Sequence, residues 1–360
     1  MNVKQPYSEV SFQEVVKVID RIGDKVTVLV SGHTGTGKSS ILKELALLKP
    51  DHTPCYLDVT VMDTGDFLIP KIRTLDGVEV CSFIPNENIG FHLKKPIILL
   101  LDEIGKASKS VLNACLRLML ERSLGVYDLP EGSIVFATTN LGIEGLGDNI
   151  PAHARNRVCN IKMRKPTVEE WRWDYAQNAG VDPVIIASAV EYPSCFASFE
   201  DYEVVGQNQY IFDPRSPMTA FVTPRSLEKA SDILKRCRDL PEDVLYHTLA
   251  GVVGTRFTAD LMNILKLDNT MPNYFDIINH PTTTPIPSNG AAICLVIAKI
   301  LQNVKQETFD NVMDYIGRLP REAQALYAMS IMSSKSPKRS IAVTNKKFTE
   351  WAVFNGYLFN

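Results

Sequence analysis

The sequence predicts an α/β core built on a parallel five-stranded sheet, followed by a mainly helical second half. Three observations carry this. Residues 26–30 are apolar and β-branched, and they lead through a glycine-rich loop into a helical pattern over 41–48. Residues 97–101 and 134–137 are unbroken apolar runs, the mark of strands buried on both faces, and each gives way to polar residues. From Pro166 onward helical periodicity replaces strand-like runs.

A chain of 360 residues has room for two or three domains. Its 45% apolar and 22% charged content is ordinary for a globular protein, and a net charge of −3 provides no general attraction to nucleic acid or anionic membrane. The seven cysteines are scattered singly, odd in number and without a C-x-x-C pair, which favours reduced thiols over a disulfide framework or a zinc site. The first ten residues lack the apolar core of a signal peptide, and the apolar run 291–298 is too short to span a bilayer. The expectation is a cytoplasmic protein with no membrane segment.

Taken in order, residues 8–22 place Val10, Phe12, Val15, Val16, Ile19 and Ile22 at roughly helical spacing, with Ser11 and Glu14 as a capping box. After the first strand, Gly32, His33, Thr34, Gly35, Thr36, Gly37, Lys38 and Ser39 fit G-x-x-x-x-G-K-[ST] at every defined position, and Ser40 opens the following helix. Glycines allow such a backbone to curl so that successive N–H groups converge on a phosphate at a helix N-terminus. Lys38 would reach the outer phosphates, and the Ser39 hydroxyl could complete a Mg²⁺ shell.

Residues 55–59 form a second candidate strand, and 63–95 look less regular, with Gly65, Pro70, Gly77, Pro85 and Gly90 as breakers. The third strand, 96–101, runs into Asp102 and Glu103. Asp102 would hold the Mg²⁺ water shell and Glu103 would orient and deprotonate an attacking water. An amphipathic helix over 110–121 leads to the fourth strand, which ends at Asn140. Parallel strands align their C-terminal ends along one edge, so Asn140 would stand near Asp102 and could hold the lytic water. A fifth strand, 158–163, follows Arg155 and Arg157.

In the second half, Thr167 and Glu170 start a helix, and residues 190–222 are irregular and aromatic-rich. Another helix opens at Thr223 with Arg225 in its first turn, where a cation is unfavourable unless an anion sits opposite. A helix over 242–265, a Pro-rich linker over 269–288, and helices over 289–303, 306–317, 320–333 and 344–354 complete the chain. The cluster Lys335, Lys338, Arg339, Lys346 and Lys347 reads as a solvated surface.

The ordered set GHTGTGKS, LLLDEI, ATTN, PAHARNRV and TPRSL resembles the AAA+ ATPases, and in detail the MoxR group and its dynein- and midasin-related members. The resemblance covers residues 28–229 and continues through AGVVGTRFTADLM to about 268. It implies an AAA+ P-loop core over 1–165 with Walker A and Walker B motifs, an α-helical lid over 166–268, and a small helical unit over 289–360. It also implies an ATPase that uses ATP and Mg²⁺ and assembles as a homo-oligomer, a hexameric ring with nucleotide between subunits. Asn140 would be the sheet sensor, Arg225 the lid sensor and Arg157 the arginine finger acting in trans. Where the family often has Asp-Arg-Phe, this chain has Asn156-Arg157-Val158, which leaves Arg155 as the other candidate finger. The implied function is chaperone-like remodelling of a protein client, with a von Willebrand factor A-domain protein as one candidate partner. A nucleic-acid motor or loader is the alternative, and the near-neutral charge without a basic stripe counts against it.

Overall fold

The computed structural model describes residues 9–141, 155–216, 218–333 and 336–356. The chain divides into two compact units, Met1–Lys165 and Pro166–Asn360.

The first unit is built on five parallel strands, β1 (Val28–Gly32), β2 (Thr53–Asp58), β5 (Ile97–Asp102), β8 (Ile134–Asn140) and β9 (Cys159–Met163). Their spatial order is β2-β5-β8-β1-β9, and the sheet is parallel and five-stranded as the sequence predicts. β5 and β8 are buried along their whole length, so their sequences are continuously apolar instead of alternating. Alternate residues face two helical layers. Val28, Val30, Ile98 and Leu100 pack with Val15, Val16 and Ile19 of α1 (Phe12–Ile22) and with Ile41 and Leu45 of α2 (Ile41–Leu48). Leu29, Leu99 and Leu101 pack on the other face with Val111, Cys115 and Leu118 of α3 (Lys109–Glu121). The Ser11–Glu14 capping box at the start of α1 is present as expected.

Strand β1 starts two residues later than the apolar pattern suggested and runs into the glycine loop itself. Gly32 pairs in register with Asn140 on one side and Met163 on the other. A Cβ at Gly32 would stand 2.8 Å from the Met163 carbonyl oxygen, so glycine is needed for strands to approach this closely.

Residues 63–95 are more regular than expected. They hold an antiparallel ribbon, β3 (Leu68–Leu75) with β4 (Val78–Pro85), joined at Asp76 and Gly77, both at positive φ. That is the backbone of a type I′ hairpin turn, for which Asp-Gly is a preferred pair. Pro70 is accommodated because a two-stranded ribbon consists only of edges. A smaller hairpin pairs β6 (Ser123–Leu124) with β7 (Tyr127–Asp128).

The second unit is helical. Thr167 and Glu170 form the expected capping box, but the α-helix Val168–Trp171 passes at once into a π-helical turn, Arg172–Ala176. Helix Pro183–Glu191 follows, and the aromatic segment after it contains two short 3-10 turns, Pro193–Phe196 and Phe199–Asp201. That segment is anchored: Cys195, Phe196, Phe199 and Ile211 are buried, and the Tyr210 hydroxyl donates to Asp260 at 2.7 Å.

The single helix expected over 242–265 is two helices, Glu242–Val253 and Thr255–Asp268. Gly254 breaks it, with φ 81° and ψ 155°, a conformation accessible in practice only to glycine. The Pro-rich stretch 269–288 contains helix Tyr274–Asn279, and Arg318 and Tyr315 donate hydrogen bonds to the carbonyls of Thr284 and Pro285 at 2.9 and 2.8 Å. Helices Gly290–Asn303, Phe309–Ile316, Arg321–Met332 and Lys346–Phe354, the last capped by Asn345, match the remaining pattern, and a short helix that the pattern did not suggest, Arg339–Thr344, precedes the last one.

Helix Gly290–Asn303 serves two apolar clusters. Leu295 and Ala298 join the cluster of residues 168–265, while Val296, Ile297, Ile300 and Leu301 join that of the C-terminal helices. Among the described residues, no helix is long and apolar enough to cross a membrane.

Candidate functional site

The C-terminal ends of β1, β5 and β8 lie side by side, and the polar residues singled out in the sequence collect there. The loop after β1 turns through Gly35 and Gly37, at φ 72° and 93°, into the 3-10 turn Lys38–Ser40 that opens α2. Only glycine adopts such angles at little cost. Lys38 is buried, and its Nζ donates to the carbonyls of Gly32 and His33 at 2.8 Å each and to Asn140 Oδ1 at 2.7 Å. The His33 carbonyl also accepts from Thr36 Oγ1 at 2.8 Å, which closes the loop on itself.

Because Lys38 can only donate, the carboxamide oxygen of Asn140 must face it, and the amide nitrogen points elsewhere. That nitrogen is buried and has no hydrogen-bond partner among the described residues. A buried donor without an acceptor is costly in a folded protein, of order 1–3 kcal/mol, and such groups mark places where water or a ligand is expected. Asn140 therefore presents a donor beside a lysine ammonium, a pairing suited to an anion.

Asp102, at the end of β5, is buried and accepts three hydroxyls. Thr138 Oγ1 donates to Oδ1, while Ser39 Oγ at 2.7 Å and Tyr56 OH at 3.1 Å donate to Oδ2. The Tyr56 hydroxyl is pushed up to about 12 by desolvation and by the adjacent Asp102 charge, so it remains a donor at physiological pH. Ser39 and Asp102 together are hard oxygen donors that fit Mg²⁺. Among the described residues no group of three or more His, Cys, Asp or Glu side chains could hold a metal, so a cation here would complete its shell with water and phosphate oxygens.

Glu103 leaves the sheet in the left-handed region, φ 56°, and its carboxylate is half-exposed and ion-paired with Lys106. Its backbone N–H donates to Thr138 Oγ1 at 3.2 Å. The strand ends at Asp102 and the left-handed turn at Glu103 parts the two carboxylates, the first meeting Ser39 and the second Lys106.

Gly32 to Ser40, Asp102, Glu103 and Asn140 are thus brought together. Arg155 and Arg157 are not part of this cluster. Both are exposed, and they precede β9 at the end of the strand where Cys159 pairs with Val28. The glycine loop follows the opposite end, where Gly32 pairs with Met163, and the intervening five-residue strand separates them by roughly 15 Å at about 3.3 Å per residue. Residues 142–154, including the start of PAHARNRV, lie outside the described residues. Arg225 belongs to the second unit, exposed in the first turn of helix Pro224–Cys237, whose N-cap is Thr223.

Thr138, Tyr56 and Lys106 were not among the residues the sequence singled out. Thr138 left a signal, a hydroxyl residue just inside the end of an otherwise apolar buried strand. Tyr56 and Lys106 left none, since a tyrosine on an edge strand and a lysine in a turn are ordinary.

No protein-family model matches the sequence, and no curated protein matches it. Among solved structures the chain is similar to the RuvB Holliday junction branch migration motor of Thermotoga maritima, with 15% identity, a TM-score of 0.35, and 83% of this chain and 85% of that one covered. It is also similar to a putative ATPase from Cytophaga hutchinsonii, with 13% identity, a TM-score of 0.33, and 71% and 88% covered. A third is NtrX from Brucella abortus in complex with ADP, with 13% identity, a TM-score of 0.37, and 97% and 68% covered.

Proposed function

We propose that this chain is a Mg²⁺-dependent ATPase of the AAA+ type, working as a ring of identical subunits to remodel a protein client. The observation that carries the reading is the strand-end cluster: a glycine loop with Lys38, a Ser39–Asp102 oxygen pair at 2.7 Å, and the unpartnered amide of Asn140, all on one sheet edge. Lys38 and the backbone N–H groups of the loop would bind the phosphates. Ser39 and Asp102 would hold Mg²⁺, which when bound neutralises charge on the outer phosphates. Asn140 Nδ2 would hold the attacking water or a γ-phosphate oxygen. Glu103 would take the proton from that water once its carboxylate turns from Lys106.

The distance of Arg157 from its own loop supports a role at a neighbouring subunit's nucleotide, and hence a ring. Arg225 would serve as the lid sensor, and the helices after about residue 288 would receive the client. The direct test is turnover. ATP hydrolysis should require Mg²⁺ and fall about a hundredfold or more in Glu103→Gln, with ATP still bound. A Glu103→Gln protein with near-normal turnover would place the general base elsewhere, and a wild-type protein without hydrolysis would refute the reading.

A further inference from the structure

The backbone pairing between β5 and β8 ends at Leu101 and Ala137. One residue further on, a side chain takes over. The Thr138 hydroxyl, completely buried, donates to Asp102 Oδ1 and accepts from the Glu103 N–H at 3.2 Å. A hydroxyl has one proton to give and lone pairs to receive, so this single group satisfies both contacts at once.

The geometry is unusual in what it connects. Asp102 ends the strand and Glu103 turns out of it in the left-handed region, so their carboxylates meet different partners, Ser39 and Lys106, and few single groups could orient both residues. Thr138 does so by fixing the carboxylate of the first and the backbone of the second. Glu103 needs such a hold, because its left-handed conformation is one that a non-glycine residue adopts only when its surroundings impose it. Thr138 also lies on the strand that ends at Asn140, two residues away and on the same face.

We propose that Thr138 is a positioning residue that sets the two acids of the site relative to each other and to Asn140. Its hydroxyl fixes which oxygen of Asp102 faces Ser39, and it fixes where the chain turns at Glu103. This rests on the ATPase reading for its catalytic consequence but not for its structural one.

Two isosteric pairs test it. Thr138→Val keeps the shape and removes the hydroxyl; Thr138→Ser keeps the hydroxyl, and Thr138→Ala is its partner without one. In Thr138→Val and Thr138→Ala, kcat should fall about tenfold or more at little-changed ATP affinity, while Thr138→Ser stays within about twofold of wild type. Hydrogen–deuterium exchange on the nucleotide-free protein should quicken at the Glu103 amide in Thr138→Val and Thr138→Ala, but not in Thr138→Ser. If Thr138→Val fails to fold, the Ser and Ala variants decide the matter between them. Unchanged turnover and exchange without the hydroxyl, or a Ser variant as impaired as Ala, would overturn the proposal. Should the wild-type protein bind ATP without hydrolysing it, the ATPase reading fails, and the exchange measurement alone still decides the role of Thr138.

Discussion

In the sheet unit the polar chemistry sits at strand ends, where register with neighbouring strands leaves each residue one place to be. Gly32 is paired on both sides, Asp102 ends a fully buried strand, and Asn140 ends the next. In the helical unit position is set by side-chain packing, and one helix, Gly290–Asn303, lends opposite faces to two clusters. Backbone pairing makes a site readable from the sequence; shared packing hides where one cluster stops and the next begins. The proline-rich stretch 269–288 reads as a linker in the sequence, yet it holds a helix with Ile277 buried and accepts hydrogen bonds from Tyr315 and Arg318.

The largest effect that sharpens this contrast concerns Arg157, which the register of β9 places at the far end of the sheet from its own loop. If it serves the next subunit, Arg157→Ala should bind ATP and lose turnover by on the order of a thousandfold, as arginine fingers do elsewhere. Mixing it with Lys38→Ala subunits should restore activity wherever the two co-assemble, because an intact loop then meets an intact finger. A mixture that co-assembles and stays inactive would show that Arg157 does not act across an interface, and Arg155 would be tested next by the same mixture.

Leu295 probes the shared helix. It is fully buried in the cluster of residues 168–265, and Leu295→Ala should cost about 2–5 kcal/mol through lost burial and the cavity left behind. Thermal melting should show that loss in the helical unit while ATP affinity holds. A parallel loss of ATP affinity would mean that the phosphate site depends on helical packing as much as on strand register.

Gly254 gives a smaller effect of the same kind. Its φ of 81° disfavours any side chain, and an added Cβ would stand 2.8 Å from the Ala220 carbonyl oxygen. Gly254→Ala should destabilise the helical unit by about 1–3 kcal/mol, as measured by denaturant unfolding. A neutral result would mean that the two helices can rejoin as the one helix that their periodicity suggests.

These residues also show why the reading from sequence stopped where it did. The glycine loop, the Asp-Glu pair and Asn140 were legible because their meaning lies in order and spacing along the chain. The β3–β4 ribbon was legible in principle from Asp76-Gly77, but its exposed strands lack the clean alternation that burial on one face imposes. The break at Gly254 was hidden because both flanking helices continue the same apolar periodicity. Thr138 showed only as a hydroxyl near the end of an apolar strand; its role comes from a neighbouring strand, and nothing local in the sequence records which strand that is.

The central claim is that the strand-end cluster is a nucleotide phosphate site, and equilibrium binding tests it most directly. ATP with Mg²⁺, titrated against wild-type protein and a Lys38→Ala variant shown by circular dichroism to be folded, should bind the first. Binding to the variant should weaken by on the order of a hundredfold, since the lysine supplies charge-assisted bonds that no other described side chain of the cluster replaces. Equal affinity in the two folded proteins would contradict the claim and move the nucleotide, if one binds at all, away from this edge of the sheet.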